Sequence, residues 1–181
     1  MTRPVAQLAA CLLLTLAASP AAAEMTLTSP SLDSNGAFVA DQVLNGFGCT
    51  GGNLSPALEW SGAPEGTASF ALMMHDPDAP TGSGWWHWTV FNLPASTTGL
   101  PEGASASAMP EGSIESRTDF GAPGYGGACP PEDGGAHAYA ITLYALPSTL
   151  GLDAEVMPAM LSYMLRGSAL DSVTLTVPFG R

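Results

Sequence analysis

The chain contains no lysine, and its only four cationic side chains are arginines. Sixteen acidic residues give it a formal net charge of −12 at pH 7. This excess of negative charge argues against nucleic acid and anionic membranes as partners, because both would repel the protein. Nucleotide phosphoryl transfer is excluded as well, since kinases and P-loop proteins pair a lysine with the phosphates. Any anion would have to be bound largely by histidines, backbone N–H groups and hydroxyls.

A long apolar stretch with few charges occurs only at the start of the chain. Arg3 is its single charged side chain, residues 5–18 are mostly apolar, and the alanines at 21–23 resemble a small-residue cleavage site. We therefore expect residues 1–23 to be a signal peptide and residues 24–181 to form one domain in the periplasm or outside the cell. The apolar run is short for a bilayer span, so no transmembrane segment is expected in the mature chain.

Cysteine is scarce, with three residues in the whole chain. Cys11 would be removed with the signal peptide, which leaves Cys49 and Cys129, each in a glycine-rich loop. An even count in an exported chain favours a disulfide over a metal site or a free nucleophile. Such a bond would tie the loop at 46–53 to the loop at 124–131.

Motifs that carry catalysis or bind cofactors are missing. The chain has no H-E-x-x-H or paired-cysteine spacing for zinc and no G-x-S-x-G elbow for a serine hydrolase. Residues 46–51 fit the G-x-G-x-x-G string of dinucleotide folds, but Gly52, Asn53 and Pro56 follow where a helix should begin. We therefore expect no metal, no cofactor and no catalytic nucleophile.

Strand-like runs recur along the mature chain, separated by turns rich in Gly, Pro, Asn and Asp. This pattern is typical of an antiparallel sandwich or barrel, so the expected fold class is all-β. The runs span residues 25–28, 57–60, 69–75, 86–93, 137–146 and 172–177.

One helix is predicted, over residues 153–166, with Pro158 near its start and Gly167 at its end. Its methionine-rich face is interpreted as core filler rather than as part of a ligand site. Residues 98–116 have weak periodicity and are expected to form a surface excursion.

The last long strand carries two polar groups at its beginning. Because side chains two residues apart share a face of a strand, His137 and Tyr139 point the same way, followed by Ile141 and Leu143. An imidazole and a phenol thus lie at one end of an apolar surface. Taken alone, they are more simply explained as core groups hydrogen-bonded to the backbone.

An aromatic strand carries another histidine. Strict alternation predicts one face formed by Trp85, His87, Thr89 and Phe91, and the opposite face formed by Trp86, Trp88 and Val90. His87 would therefore emerge between large aromatic rings that exclude water. The tryptophans themselves are expected to be core and pocket wall.

The segment 76–80, Asp-Pro-Asp-Ala-Pro, is stiff because its two prolines fix φ and restrict the residues before them. A plain turn that caps the preceding strand is an equally good interpretation of Asp76 and Asp78. A carboxylate can, however, hold a histidine in its cationic form. A cationic histidine, backbone N–H groups and a tyrosine hydroxyl together would form a receptor for a phosphate-type oxyanion.

These motifs, in this order, resemble those of the phosphatidylethanolamine-binding protein family. The segment at 76–80, the Trp-His strand at 85–88, and the glycine-rich loop at 124–131 leading to His137 and Tyr139 carry the resemblance. Residues 119–125 and 179–181 are similar to the bacterial YbhB/YbcL, Raf kinase inhibitor-like branch. The resemblance implies two antiparallel sheets with a few short peripheral helices, around a small anion pocket.

The resemblance also implies which residues form that pocket and a cis peptide bond before Pro80. Cys129 and Ala138 depart from the eukaryotic members, which often have Gly and Arg at these positions. The implied pocket is lined by Asp76, His87, His137 and Tyr139 and shaped by Asp78, Trp85, Pro130 and Pro131.

The leading hypothesis is therefore an exported, non-catalytic protein that binds phosphate, a phosphoethanolamine-like head group or a carboxylate. An inhibitor or regulator of a protease or another protein is the main alternative, since family members bind such proteins. A phosphoester hydrolase with His and Asp as acid and base is a third hypothesis. The bacterial relatives are also compatible with a homodimer.

Overall fold

The structure is a computed structural model that describes residues 24–181, and the predicted signal peptide at 1–23 lies outside this range. None of the helices in this range is long and apolar enough to cross a bilayer. The elements are numbered in chain order. The elements are β1 Thr26–Thr28, a 3-10 turn Ala40–Gln42, β2 Asn45–Gly46, β3 Cys49–Thr50, β4 Leu58–Ser61, β5 Ser69–Asp76, β6 Trp85–Pro94, β7 Gly99–Leu100, α1 Ala104–Ser107, β8 Ile114–Glu115, β9 His137–Leu146, α2 Pro158–Ser168 and β10 Asp171–Phe179.

The long apolar strands form one five-stranded antiparallel sheet in the order β10-β9-β5-β6-β8. A second sheet in the order β1-β4-β7 packs against it, and β2 and β3 form a separate hairpin. The main core lies between the two sheets, where Leu58 and Trp60 of β4 meet Leu72 and Met74 of β5. This architecture confirms the all-β prediction.

Helix α2 covers the outer face of the five-stranded sheet. It begins at Pro158, whose fixed φ and missing N–H suit the first helical position, rather than at residue 153. Leu161 and Leu165, one turn apart, are its fully buried apolar side chains. The interpretation of the methionine face as core filler is wrong, because Met157 and Met160 are 66% and 55% exposed.

The segment 98–116 is more ordered than a surface excursion. Its strands β7 and β8 pair with β4 and β6, and Leu100 and Ala104 are buried in the main core. Two-residue strands and a four-residue helix are too short to produce a periodic pattern, which explains why the sequence did not reveal them.

Candidate functional site

A β-bulge at the start of β6 places His87. Trp86 pairs with His75 and Trp88 with Met74 of β5, so His87 is an extra residue between two regular pairs. Trp88 and Val90 consequently pack in the main core, while Phe91 packs in the cluster beneath α2. The bulge reverses the alternation after His87. The prediction that Thr89 and Phe91 share the face of Trp85 and His87 is therefore wrong.

The two carboxylates at 76–80 fasten this segment to the start of β9. Asp76 Oδ1 accepts a hydrogen bond of 2.9 Å from the backbone N–H of Asp78. Asp78 Oδ2 in turn accepts one of 2.8 Å from the N–H of Ala138. No peptide bond in residues 24–181 is cis, so the expected cis bond before Pro80 is wrong; the trans form is the one that X-Pro bonds intrinsically favour.

Asp76 and His137 form a buried pair. Nδ1 of His137 donates to Asp76 Oδ2 across 2.7 Å, and the two side chains are 7% and 4% exposed. Because Nδ1 is occupied, Nε2 is the nitrogen that His137 can offer to a ligand. The charge of an imidazolium here would be compensated by the Asp76 carboxylate.

His87 is held by a reciprocal contact with Gly126. Its Nδ1 lies 2.8 Å from the Gly126 carbonyl, and the Gly126 N–H donates to the His87 carbonyl across 2.9 Å. A carbonyl oxygen only accepts, so Nδ1 carries the proton. Burial lowers the pKa of His87, and the hydrogen bond to Gly126 and the charge of Asp76 oppose this only in part. His87 is thus a neutral ring whose Nε2 accepts hydrogen bonds.

Tyr139 lies behind the two histidines rather than in the wall of the cleft. Its ring meets His87 edge-on at 5.2 Å and lies 6.4 Å from the ring of His137. The side chain is fully buried, and its hydroxyl has no hydrogen-bond partner among residues 24–181. Burial raises the pKa of Tyr139, and the Asp76 carboxylate raises it further, so the phenol stays neutral.

These groups border a cleft of about 180 Å³ whose floor is polar and whose walls are mostly apolar. It includes six of the eight pocket residues expected from the sequence; Asp78 and Tyr139 support it from outside. Phe47 and Phe120 also line the cleft, and the sequence did not predict this. The glycines next to both residues indicate exposed turns, and they are the signal that could have pointed to them. The lining is formed by Leu44, Phe47, Asp76, Ala79, Pro80, Thr81, Trp85, His87, Phe120, Gly127, Cys129, Pro130, Pro131 and His137.

A disulfide and contacts from Arg181 hold the 124–131 loop, which forms one side of the cleft. Cys49 and Cys129 form a disulfide across 80 positions of sequence, which ties the β2–β3 hairpin to the 124–131 loop. Arg181 donates from Nε to the Pro130 carbonyl and pairs with Glu132 at 3.1 Å. This arginine is therefore engaged with the loop rather than with the floor of the cleft. Residues 24–181 contain no cluster of three or more potential metal-binding side chains.

The buried neutral His87 predicts a loss of stability in mild acid. The imidazole has an ordinary pKa of about 6.5 when unfolded, so below this pH the unfolded chain takes up a proton that the native state resists. Thermal unfolding between pH 7.5 and 5 should show this as up to about 1.4 kcal/mol per pH unit. His87→Asn should flatten the profile and His75→Asn should not, because His75 lies on the opposite sheet face against Trp86. Equal slopes in the two variants would contradict the assignment.

Comparison with known proteins gives matches over most of the chain. A sequence model of the family described as phosphatidylethanolamine-binding protein matches residues 34–180. The UPF0098 protein YbcL of Escherichia coli K12 is 44% identical over 87% of this chain and 88% of its own length. The UPF0098 protein YbhB of the same organism is 44% identical over 86% of this chain and 99% of its own length.

Solved structures give the same result. The crystal structure of E. coli YbcL superposes with a TM-score of 0.84 at 43% identity, over 88% of this chain and 99% of that one. The phosphatidylethanolamine-binding protein homolog CT736 of Chlamydia trachomatis gives a TM-score of 0.73 at 25% identity, over 87% and 97%. On these matches in sequence and structure, the chain belongs to the phosphatidylethanolamine-binding protein family.

Proposed function

We propose that the cleft binds phosphate or a phosphorylated head group and does not turn it over. The observation that carries the proposal is the buried Asp76–His137 pair, which borders the same small cleft as His87. A protein without lysine must bind an anion through other donors, and the cleft supplies imidazole nitrogens in a site that excludes much of the solvent.

The two histidines offer complementary hydrogen bonds. A protonated His137 would donate from Nε2 to a phosphate oxygen, with its charge balanced by Asp76. Neutral His87 would accept at Nε2, because its Nδ1 proton is committed to Gly126. A singly protonated phosphate presents both an acceptor oxygen and a donor P–OH group, so it matches this pair in one orientation.

The absence of turnover is proposed from the state of the hydroxyls and thiols at the site. The Thr81 hydroxyl donates to the Gly84 carbonyl, and Cys129 is bound in the disulfide. The Tyr139 phenol is buried with a raised pKa. None of these groups is a nucleophile activated by a neighbouring base, which covalent catalysis would need.

Calorimetry with inorganic phosphate and with phosphoethanolamine at pH 6.5 tests the binding. Replacing His137 by Ala removes a charge-assisted hydrogen bond and should weaken binding about 10- to 100-fold. His75→Ala is the matched control, since His75 lies outside the cleft and bonds to the Ser83 carbonyl. Equal affinities in the two variants would rule out the cleft as the anion site. Release of nitrophenol from a chromogenic phosphate ester, lost in His137→Ala, would instead support hydrolysis.

We also propose that the protein acts after export. Three observations support this: the sequence of residues 1–23, the disulfide, and a relative in Mycobacterium tuberculosis. That relative, LppC, is 39% identical over 74% of this chain and is named as a lipoprotein candidate. Mass spectrometry of the periplasmic fraction should find an N-terminus near Glu24. A full-length chain retained in the cytoplasm would contradict export.

A further inference from the structure

A polar groove lies on the outer face of the five-stranded sheet, between the end of α2 and strand β10. Its volume of about 350 Å³ is within the range of about 300–1,000 Å³ that is typical of ligand sites. The pairing of β9 with β10 places Thr142 opposite Thr174 and Tyr144 opposite Ser172. Because side chains two residues apart share a face of a strand, all four hydroxyl groups lie on the same side of the sheet.

Tyr144 is part of the core, but its hydroxyl is unused. The residue is only 6% exposed, and its ring packs in the apolar cluster beneath α2 with Leu161 and Leu165. The hydroxyl has no hydrogen-bond partner among the side chains and backbone groups that the structure describes, and the residue borders the groove. A nearly buried phenol normally has a partner for its O–H group. The Tyr144 hydroxyl is therefore available to a ligand in the groove.

Arg166 and Asp171 bring opposite charges to the groove. Arg166 lies in the last turn of α2 and forms no ion pair within residues 24–181, whereas the other two arginines of this range pair with Glu155 and Glu132. Asp171 begins β10, and its Oδ1 accepts a hydrogen bond of 2.8 Å from the backbone N–H of Ser172. The groove thus offers a guanidinium group that donates hydrogen bonds and a carboxylate that accepts them.

This combination suits a neutral hydroxylated ligand better than an anion. The Asp171 carboxylate and the net charge of −12 would both repel an anion that approached Arg166. A neutral saccharide meets no such repulsion. Each sugar hydroxyl both donates and accepts, so neighbouring hydroxyls of one ring can accept from Arg166 and Tyr144 while they donate to Asp171.

The sheet face beside the groove has room for more than one sugar ring. Further along the two strands, Ala140 lies opposite Thr176 and Ala138 lies opposite Pro178. These side chains are small, and Thr176 is exposed. Residues 138–144 of β9 cover three steps of two residues, which is a length of about 20 Å. An extended oligosaccharide can lie along the strands with one end in the groove.

We propose that the outer face of β9 and β10 is a second binding site, which takes a neutral oligosaccharide anchored in the groove. Arg166 and Tyr144 donate to sugar hydroxyls, and Asp171 accepts from them. The exposed hydroxyls of β10 add hydrogen bonds along the strand. The site is independent of the proposed phosphate site, since the described linings of the groove and of the cleft have no residue in common.

Titration of the ¹⁵N-labelled protein with cellotetraose, chitotetraose and maltotetraose, followed by NMR, tests the site. At least one of them should shift the amide signals of Thr142 and Thr174 in a saturable way, and the order of the three affinities identifies the kind of glycan. Tyr144→Phe removes only the hydroxyl, so it should weaken binding about three- to tenfold and leave the melting temperature unchanged. Tyr163→Phe is the matched control, because Tyr163 is 78% exposed on α2 and lies outside the groove.

Arg166→Gln is a second test, on an exposed side chain that the core does not contain. It should weaken binding about tenfold or more, and Arg117→Gln should not, because Arg117 pairs with Glu155 instead. The proposal would be overturned if none of the three saccharides gave a saturable shift, or if wild type and both groove variants bound equally well. Binding of sulfate instead, strengthened in Asp171→Asn, would make the groove an anion site and would also overturn it. The titrations contain no phosphate, so their outcome does not depend on the proposed function.

Discussion

Replacing Cys49 and Cys129 by serine should lower the free energy of unfolding by about 4 to 5 kcal/mol. The bond closes a loop of 80 residues, and loss of this restraint raises the entropy of the unfolded chain by that amount in the chain-entropy model. Urea unfolding monitored by tryptophan fluorescence measures the loss. The dependence of the unfolding free energy on urea should also steepen, because the unfolded chain without the crosslink exposes more surface.

Reduction of the wild-type protein provides the internal control. Treatment with a phosphine reductant should reproduce the loss seen in the double serine variant and should leave that variant itself unaffected. Unfolding midpoints that coincide for oxidised wild type, reduced wild type and the double variant would show that the bond contributes no stability. The proposed affinity for phosphate should fall along with stability, because the bond joins the β2–β3 hairpin to the loop that holds His87 through Gly126.

Gly127→Ala should strongly destabilise the folded protein and lower its soluble yield. The added methyl group would overlap the backbone of Gln42, Val43 and Leu44, which runs beside the 124–131 loop. Leu44 donates to the Ala128 carbonyl at 3.1 Å, so the two segments cannot separate without losing their pairing. Backbone atoms have no rotamer change available to relieve the overlap, and we expect a destabilisation of about 3 kcal/mol or more. Soluble yield and urea unfolding would measure it.

Gly151→Ala is the matched control for this prediction. No atom lies within 4 Å of the position that its methyl group would take. The unfolding free energy should therefore change by less than about 0.5 kcal/mol or rise slightly, since alanine restricts the unfolded chain. Similar stabilities for the two alanine variants would mean that the 124–131 loop tolerates displacement from the Gln42–Leu44 backbone.

The sequence predicted the long strands well because burial imposes a pattern on them. β9 has the predicted bounds of 137 and 146, and its buried side chains alternate as expected from His137 to Leu143. The order of the pocket motifs was also informative, since each precedes or follows a long strand of the same sheet. The structure brings Asp76, His87 and His137 to one cleft.

Features set by contacts remote in sequence were not predicted. The buried face of α2 depends on where the helix lies on the sheet, and its methionines therefore looked like core residues. The place of Phe47 beside the cleft follows from the hairpin turn and from stacking on Phe120, 73 positions later in the sequence. The bulge in β6 was not predicted either. The alternation of side chains along a strand does not show which residue lacks a partner on the neighbouring strand.

That bulge has a consequence for how the fold and the site depend on each other. On either side of His87, Trp86 and Trp88 keep adjacent partners, His75 and Met74, on β5. Shortening β6 by this single residue would therefore leave the facing direction of its tryptophans unchanged, but it would remove the imidazole and both hydrogen bonds between His87 and Gly126. The register of the sheet therefore does not depend on His87, whereas the cleft would lose one of its two imidazoles without it.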